Sequence, residues 1–247
     1  ATGGIGNLFR HTSNPPASTG DGIAMAYRVG EEILNAEYVQ FHPTILYHRD
    51  VKRFLISEAL RGEGAKLVNH EGEDFMEHYA PELADLSPPD EVARAIYREM
   101  EREDVEYVWL DATRITGMKL EERFPGIFKQ CYDLGIDIRT DPIPVVPAAH
   151  YFCGGVKVDL DGRTSIEGLY AAGETSCTGV HGANRLASIS LLEGLVWGIR
   201  CGRNAVVEQV ELDDLLVESV PDWIVPANAE EVDPVLVNQD FKSIQST

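Results

Sequence analysis

The ten residues Gly179-Val-His-Gly-Ala-Asn-Arg-Leu-Ala-Ser188 stand immediately before a long helical pattern that runs from about Ser188 to Val207. Backbone N–H groups at the start of a helix attract an anion, or a carbonyl oxygen that gains charge. Just ahead of this helix, His181 and Asn184 offer hydrogen bonds, and the guanidinium of Arg185 can hold a carboxylate through two parallel bonds. The stretch therefore predicts an anion site where a loop meets a helix, as in open α/β folds.

Short strand patterns and glycine turns precede this stretch. The segments Gly154–Asp159 and Gly168–Gly173 are predicted as strands, with a turn at Asp161-Gly162 between them, and Glu174 follows the second segment. A carboxylate at such a strand end suits a ribose or ribitol hydroxyl. Helix capping is the alternative role for Glu174, and the residues alone leave both open.

The opening residues Ala1-Thr-Gly-Gly-Ile-Gly6 are typical of a strand end that runs into a glycine turn, which indicates the middle of a domain. Gly3, Gly4, Gly20 and Gly22 allow a backbone to approach a ligand closely. No G-x-G-x-x-G follows a strand in these 247 residues, so the usual fingerprint of dinucleotide binding is missing. We therefore expect the chain to be a fragment of a longer protein.

Between about residues 45 and 140 the pattern predicts a small α+β insertion. Strands are expected at 37–41, 65–68 and 107–110, and helices at 23–33 (with Asp21 as its N-cap), 55–61, 90–103 and 119–134. Residues 208–235 are acidic, contain three prolines and are typical of a linker. A further helix is expected from about residue 239 to residue 246.

Three more polar clusters are candidates for chemistry. His42 ends a predicted strand in Phe41-His-Pro-Thr44, and a structural, hydrogen-bonded histidine explains it equally well. In Ser57-Glu-Ala-Leu-Arg-Gly-Glu63, charges that alternate along one helix face indicate either a proton relay or a solvated salt-bridged surface. His150 follows the apolar run Val145-Val-Pro-Ala-Ala149, so its imidazole needs a partner or a ligand.

The charge balance excludes several function classes. The formal net charge is −20, from 41 acidic and 21 basic residues, which argues against nucleic-acid binding and against attraction to anionic membranes. The four cysteines lie far apart with no C-x-x-C pair, so neither a metal site nor a disulfide framework is expected. Reduced thiols and the lack of a long apolar segment favour a cytoplasmic protein.

Taken in order, the motifs resemble one flavoprotein family. The succinate dehydrogenase, fumarate reductase and L-aspartate oxidase family contains similar motifs in the same order. In this chain the motifs are Ala1-Thr-Gly-Gly4, Thr19-Gly-Asp-Gly22, Phe41-His-Pro-Thr44, Glu58-Ala-Leu-Arg-Gly-Glu-Gly64, Val146-Pro-Ala-Ala-His-Tyr151, Gly173-Glu174 and His181-Gly-Ala-Asn-Arg-Leu-Ala-Ser188. The resemblance covers nearly the whole chain, and the sequences of the motifs are most similar to those of the L-aspartate oxidase branch.

The resemblance implies an α/β fold in which a partial, Rossmann-like FAD-binding domain is interrupted by an α+β capping domain. Residues 1–45 and 142–207 are then parts of the FAD-binding domain, residues 46–141 the capping domain, and residues 208–247 a linker with the start of a truncated C-terminal helical domain. It implies that the isolated fragment is inactive, and it suggests quinolinate synthase as a pathway partner.

The resemblance also implies an activity, the FAD-dependent oxidation of L-aspartate to iminoaspartate for NAD biosynthesis, with oxygen or fumarate as the electron acceptor. By this likeness, the substrate carboxylates are held by His42, His150 and Arg185 with help from Ser57 and Glu58, and Arg61 and Glu63 are relay partners. The residues expected to contact FAD are Ala1, Thr2, Gly3, Gly4, Asp21, Glu174, Asn184, Ser190 and Leu191.

Two departures from the family pattern bear on activity. Pro89 stands where the family usually has the arginine that transfers a proton in fumarate reduction, and Ile189 stands in place of an asparagine. Arg94 lies more than a helical turn beyond Pro89 and is a poor substitute. The alternatives are therefore a soluble fumarate reductase or succinate dehydrogenase flavoprotein, which Pro89 disfavours, and a catalytically impaired flavoprotein fragment.

Overall fold

The computed structural model describes residues 1–51, 53–208 and 234–245, which form two compact units. The four-stranded unit comprises His11–Ala17 and Val39–Tyr151. The three-stranded unit comprises the described parts of Ala1–Arg10, Ser18–Tyr38 and Phe152–Thr247. Whether the segment 46–141 acts as a capping domain stays a prediction.

The regular elements are numbered along the chain. The strands are β1 (Ile33–Leu34), β2 (Val39–Leu46), β3 (Lys66–Val68), β4 (Val108–Asp111), β5 (Ile143–Phe152), β6 (Gly155–Lys157) and β7 (Ser176–Cys177). The helices are α1 (Asp21–Arg28), α2 (Glu58–Gly62), α3 (Met76–Tyr79), α4 (Pro89–Glu103), α5 (Leu120–Arg123), α6 (Pro125–Asp133), α7 (Ile189–Val207) and α8 (Pro234–Gln245). Short 3₁₀ turns cover Gly6–Leu8 and Ala84–Leu86.

The four-stranded unit is an α+β layer in which the strand order is β2-β5-β4-β3. β3 pairs antiparallel with β4, and β4 pairs antiparallel with β5. Helix α4 packs on this sheet through apolar residues at helical spacing, so that Val92, Ala95 and Ile96 are buried with Leu110 of β4. The first residue of α4 is a proline. Proline has no N–H, and at the first position of a helix this costs no hydrogen bond, because an N–H there would have no acceptor within the helix.

The three-stranded unit contains the sheet β1-β6-β7, in which β1 and β6 are antiparallel and β6 and β7 are parallel. Helix α1 packs beside β6, where Ala26 is buried with Val156 and Ala171. The long helix α7 was expected, and Ser188 precedes it in a left-handed conformation (φ 65°). In the described parts of the chain, no helix is long and apolar enough to cross a membrane.

Helix α4, the paired helices α5 and α6, strand β3 and helix α7 confirm the sequence predictions within a few residues. The wrong predictions concern turns and prolines. Helix α1 begins at Asp21 and ends at Arg28, with Gly20 rather than Asp21 as its N-cap. Helix α2 begins at Glu58 because Ser57 caps it.

Two strand predictions are also wrong. Strand β2 does not stop at His42-Pro43 but continues to Leu46, because an edge strand tolerates a proline. The segment Gly168–Gly173 makes only an isolated bridge, between Arg163 and Tyr170. The predicted linker lies almost wholly outside the described residues, and helix α8 begins before the residue that the sequence indicated.

Replacing Leu110 by Ala should lower the free energy of unfolding by about 2–5 kcal/mol, because a fully buried leucine leaves a cavity. Leu83→Ala in the same unit is the matched control, since Leu83 is 55% exposed, and it should cost well under 1 kcal/mol, roughly the surface value. Urea denaturation of both variants measures the difference, and equal losses would contradict the assignment of the core.

Candidate functional site

Two imidazoles lie side by side in the four-stranded unit. The ring centroids of His42 and His150 are 5.3 Å apart, and the rings are inclined at 63°. His42 lies on β2 and His150 on β5, and these strands are neighbours in the sheet. Strand pairing therefore brings together two of the residues predicted to bind substrate, although they are far apart in the sequence.

The hydrogen bonds of His42 determine which ring nitrogen carries its proton. The backbone N–H of Thr44 donates to Nδ1 of His42 over 3.2 Å. A backbone N–H can only donate, so Nδ1 must be the lone-pair nitrogen and the neutral ring holds its proton on Nε2. The His42 side chain can therefore donate a hydrogen bond from Nε2 to a carboxylate.

A loop in the same unit fixes His150. The Oγ of Ser13 lies 2.6 Å from Nδ1 of His150, and the Asn14 amide donates to the His150 carbonyl oxygen over 2.9 Å. Thr12 donates from Oγ1 to the Ala149 carbonyl oxygen, also over 2.9 Å. Sequence reasoning placed residues 1–22 in loops and missed these contacts, because nothing in the sequence links positions so distant.

Helix α2 carries the other predicted residues of this unit. The hydroxyl of Ser57 accepts a hydrogen bond from the Ala59 N–H, so Ser57 is the N-cap, and Glu58 begins the helix. Arg61 is buried, and its Nη1 donates to the carbonyl oxygen of Asp85 over 2.6 Å. Burial lowers the pKa of the Arg61 guanidinium below its usual range, against the opposing effect of Glu58, whose Oε1 lies 3.9 Å from Nη2.

Asp85 is a buried residue that the sequence did not indicate. Its carboxylate accepts from the backbone N–H of Leu67 over 2.8 Å and from Nζ of Lys66 over 3.0 Å. These bonds fix the turn whose carbonyl oxygen holds Arg61. Glu63 pairs with Arg123 instead, at 2.8 Å, so a relay between Arg61 and Glu63 stays a prediction.

In the three-stranded unit, Glu174 has a carboxylate inside a glycine-lined cradle. Its Oε1 accepts a hydrogen bond from the Phe152 N–H over 2.9 Å, which leaves the second oxygen for a ligand hydroxyl. A Cβ built on Gly4 would stand 2.3 Å from the same Oε1, so a larger residue there would displace the Glu174 carboxylate. Burial raises the pKa of Glu174 above its usual range, and this is opposed by the Phe152 bond and by the charge of Arg185.

Several residues predicted to contact a cofactor come together around this cradle. Thr2 donates to Thr175, the neighbour of Glu174, over 3.1 Å, and the Gly20 N–H donates to the Gly4 carbonyl oxygen over 3.1 Å. Asp21 follows Gly20 and accepts from Thr19. A carboxylate acceptor among closely packed glycine backbones fits the ribityl and phosphate parts of a flavin nucleotide.

A buried network holds the loop before α7. Nε2 of His181 and Oε2 of Glu193 are 2.7 Å apart, both side chains are almost fully buried, and Thr178 donates to the other oxygen of Glu193 over 2.5 Å. Glu193 lies on the first turns of α7, so the bond ties the loop to the helix. Sequence reasoning noted His181 but missed its partner Glu193.

Beyond that network, the start of α7 carries three predicted residues. Arg185 donates from Nη1 to Oγ of Ser190 over 3.2 Å, and Asn184 and Leu191 are exposed. The N–H groups of Ile189 and Leu191 make only long backbone bonds, to Leu186 over 3.4 Å and to Ser188 over 3.3 Å. Such groups at a helix start can bind an oxygen of a ligand. Arg185 belongs to a different unit from His42 and His150, so their convergence on one ligand stays a prediction.

In the residues that the structure describes, no group of three or more His, Cys, Asp or Glu side chains could hold a metal ion. The four cysteines, Cys131, Cys153, Cys177 and Cys201, are free thiols. Burial raises the pKa of the Cys131 thiol to about 11, so this cysteine stays protonated at neutral pH. The thiols therefore offer no sign of a redox pair or of a metal site within the described residues.

Replacing Glu174 by Gln should remove one pH-dependent contribution to stability. The raised pKa of Glu174 exceeds that of the unfolded chain, so folding favours its protonated form, and the free energy of unfolding falls as pH rises through the interval between the two values. Denaturation from about pH 4 to pH 8 should show a shallower fall for Glu174→Gln than for the exposed control Glu167→Gln. Equal slopes would contradict the burial of this carboxylate.

Comparison with known proteins places the chain in a family. The family model described as FAD binding domain matches residues 1–191. The L-aspartate oxidase of Acinetobacter baylyi is 47% identical over all of the chain and 45% of the relative, and L-aspartate oxidase 1 of Ralstonia nicotianae is 57% identical over 80% of the chain and 37% of the relative. The chain thus spans less than half the length of these relatives.

A solved structure agrees with these relatives. A variant of FrdA from the E. coli quinol fumarate reductase superposes with a TM-score of 0.77 at 32% sequence identity, covering all of the chain and 42% of FrdA. The chain therefore has the mixed α/β fold of an FAD-binding flavoprotein, as the sequence predicted, and it represents part of that fold.

Proposed function

Since the chain belongs to the FAD-binding flavoprotein family of succinate dehydrogenase, fumarate reductase and L-aspartate oxidase, with FAD as the cofactor, we propose that the protein oxidises L-aspartate to iminoaspartate. The expected electron acceptor is oxygen or fumarate. The observation that carries the proposal is the pair His42 and His150, held 5.3 Å apart on adjacent strands. Two fixed imidazoles can grip a small anionic substrate.

Each candidate residue has a part in holding the substrate. Nε2 of His42 donates to one carboxylate, since Nδ1 is occupied by the Thr44 N–H. Arg185 binds the other carboxylate through its guanidinium, and the cap of α2 with Ser57 and Glu58 assists. Orienting the substrate in this way supplies much of the rate, because a fixed approach removes the entropic cost of alignment.

The cofactor contributes the redox step, because FAD accepts a hydride from the substrate carbon when it is bound. The residues of this chain hold the FAD in position. Glu174 accepts a hydrogen bond from a ribityl or ribose hydroxyl, Ala1, Thr2, Gly3, Gly4 and Asp21 line the cradle, and Asn184, Ser190 and Leu191 bind at the start of α7. Ile189 offers no polar group where the family usually has an amide.

The cell context is part of the proposal. Four free thiols suit a cytoplasmic protein, and iminoaspartate would pass to an enzyme such as quinolinate synthase in NAD biosynthesis. We expect turnover from the full-length protein rather than from the 247 residues alone. A colourless but folded full-length protein would instead support the alternative of an impaired flavoprotein.

The flavin-loaded full-length protein should oxidise L-aspartate at least ten-fold faster than succinate, roughly the discrimination of one well-bound group. His42→Gln should raise KM for L-aspartate about ten-fold, because one carboxylate contact is lost. The control His78→Gln alters an exposed imidazole and should leave KM unchanged. The test is to measure steady-state rates with L-aspartate and with succinate as the electron donor. Faster turnover of succinate would favour the succinate dehydrogenase alternative.

Fumarate reduction should be weak, because Pro89 supplies no titratable group where the family carries an arginine. Pro89→Arg should raise the fumarate reductase rate about ten-fold or more, since it supplies the guanidinium that the family carries at this position. Pro81→Arg adds the same charge at an exposed position of the same unit and should have no effect. Rapid fumarate reduction by the unaltered protein would contradict this role of Pro89.

A further inference from the structure

The start of helix α7 is not anchored by apolar packing in the residues that the structure describes. Of the nineteen residues of α7, only Glu193 is buried. By contrast, Leu192 and Leu195 on the first turns of the helix are each more than half exposed. A buried carboxylate loses its hydration, so it must be hydrogen-bonded by other groups of the protein. The contacts of Glu193 therefore decide how this end of the helix is held.

Both oxygens of the Glu193 carboxylate bond to the loop that precedes α7. Oε2 lies 2.7 Å from Nε2 of His181, and Oε1 accepts from the Thr178 hydroxyl over 2.5 Å. The oxygen of Thr178 in turn accepts from the backbone N–H of Val180 over 3.3 Å. The side chains of His181 and Glu193 are only 4% and 1% exposed, so water competes little for their bond. One carboxylate therefore holds the loop at two points.

The loop ends in a backbone conformation that is not favoured locally. Ser188 has a φ of 65°, in the left-handed region that a residue with a Cβ rarely adopts. Within the loop, the Gly182 N–H makes a long bond of 3.3 Å to the Gly179 carbonyl oxygen. A strained backbone of this kind persists only where the surrounding contacts hold it. The two short bonds to Glu193 supply such contacts.

The bond between His181 and Glu193 closes a stretch of chain that contains candidate ligand-binding residues. Four residues proposed to bind FAD or the substrate lie between its two ends in the sequence, namely Asn184, Arg185, Ser190 and Leu191. We propose that Glu193 is a positioning residue that holds this stretch in the conformation that receives FAD. The inference deepens the proposed function and rests on the cofactor contacts proposed there.

Preorganisation is the physical reason for such a role. A flexible stretch that becomes ordered only when FAD binds loses conformational entropy at that moment, and this loss weakens binding. An anchor that orders the stretch beforehand removes the loss from the binding step. Glu193 can therefore strengthen FAD binding without touching the cofactor, and breaking its bonds to the loop speeds the release of FAD.

The first test is the rate at which the flavin-loaded full-length protein releases FAD on dilution, read from the fluorescence of the free flavin. Thr178→Val replaces the hydroxyl by a methyl group and should speed release about ten-fold, because one of the two bonds to Glu193 is lost. Thr178→Ser keeps the hydroxyl and should release FAD at the rate of the unaltered protein. Equal release by Thr178→Val and the unaltered protein would overturn the proposal.

The second test is hydrogen exchange of the amides from 178 to 191 in the full-length protein, with and without FAD. Glu193→Leu removes both acceptor oxygens and should speed exchange in this segment about ten-fold or more. Glu193→Gln still offers hydrogen bonds to both partners and should change exchange far less. The matched control is Glu208→Gln, an exposed carboxylate next to the other end of α7 that accepts from Arg163 and Tyr170, and it should leave the segment unchanged.

The outcomes separate this inference from the proposed function. If release and exchange change as expected but L-aspartate is not oxidised, the proposed reaction is wrong and the role of Glu193 is supported. If Glu193→Leu loosens the segment but releases FAD at the unaltered rate, the anchor is merely structural and the inference is wrong. Should Glu193→Leu not fold, the comparison of Thr178→Val with Thr178→Ser still decides.

Discussion

The pairing of β2 with β5 is the interaction on which the candidate substrate site depends. Each strand contributes one imidazole, and their distance is set by strand spacing rather than by flexible loops. β5 is held in turn by β4 on its other side and by the bonds of Thr12 and Ser13 to Ala149. A shift of either strand by one residue would turn its imidazole to the opposite face of the sheet.

Buried polar groups then fix what the sheet places. The turn at Asp85 is tied to Leu67 and Lys66, and it holds the guanidinium of Arg61 through a carbonyl oxygen. In the other unit, Glu193 ties His181 to the start of α7. Burying the carboxylates of Asp85 and Glu193 costs solvation energy that their hydrogen bonds only partly return. Their value here is geometric, because each bond holds a candidate residue in one orientation.

The elements that the sequence predicted correctly carry their signals locally. Helix α4 has a proline at its start and apolar residues at positions 92, 95 and 96, and α7 follows a loop rich in capping and turn residues. Strand β2 was cut short because Pro43 is a local stop signal, and only the sheet order shows that β2 lies at an edge where a proline is tolerated. Strand β5 went unpredicted because Pro144 and Pro147 interrupt its apolar run.

The same limit applies to the site. His42, His150 and Arg61 were found from motifs, whereas Ser13, Asp85 and Glu193 were not, because their importance lies in contacts across long stretches of chain. A serine within a polar loop has no feature of its own that marks it as the partner of a histidine. The motif indicates the group proposed to meet the ligand, and the fold shows which group holds it in place.

Pro89 illustrates how fold and activity can separate. Proline at the first position suits the start of α4, so nothing in the packing penalises the loss of an arginine there. Two arginines of the same unit are engaged elsewhere, since Arg94 pairs with Asp90 at 2.8 Å and Arg61 is buried against the Asp85 carbonyl oxygen. To replace the missing guanidinium, either would have to give up a bond that now holds it. The fold can therefore keep the two imidazoles proposed to bind an anion while lacking the arginine proposed to transfer a proton in fumarate reduction.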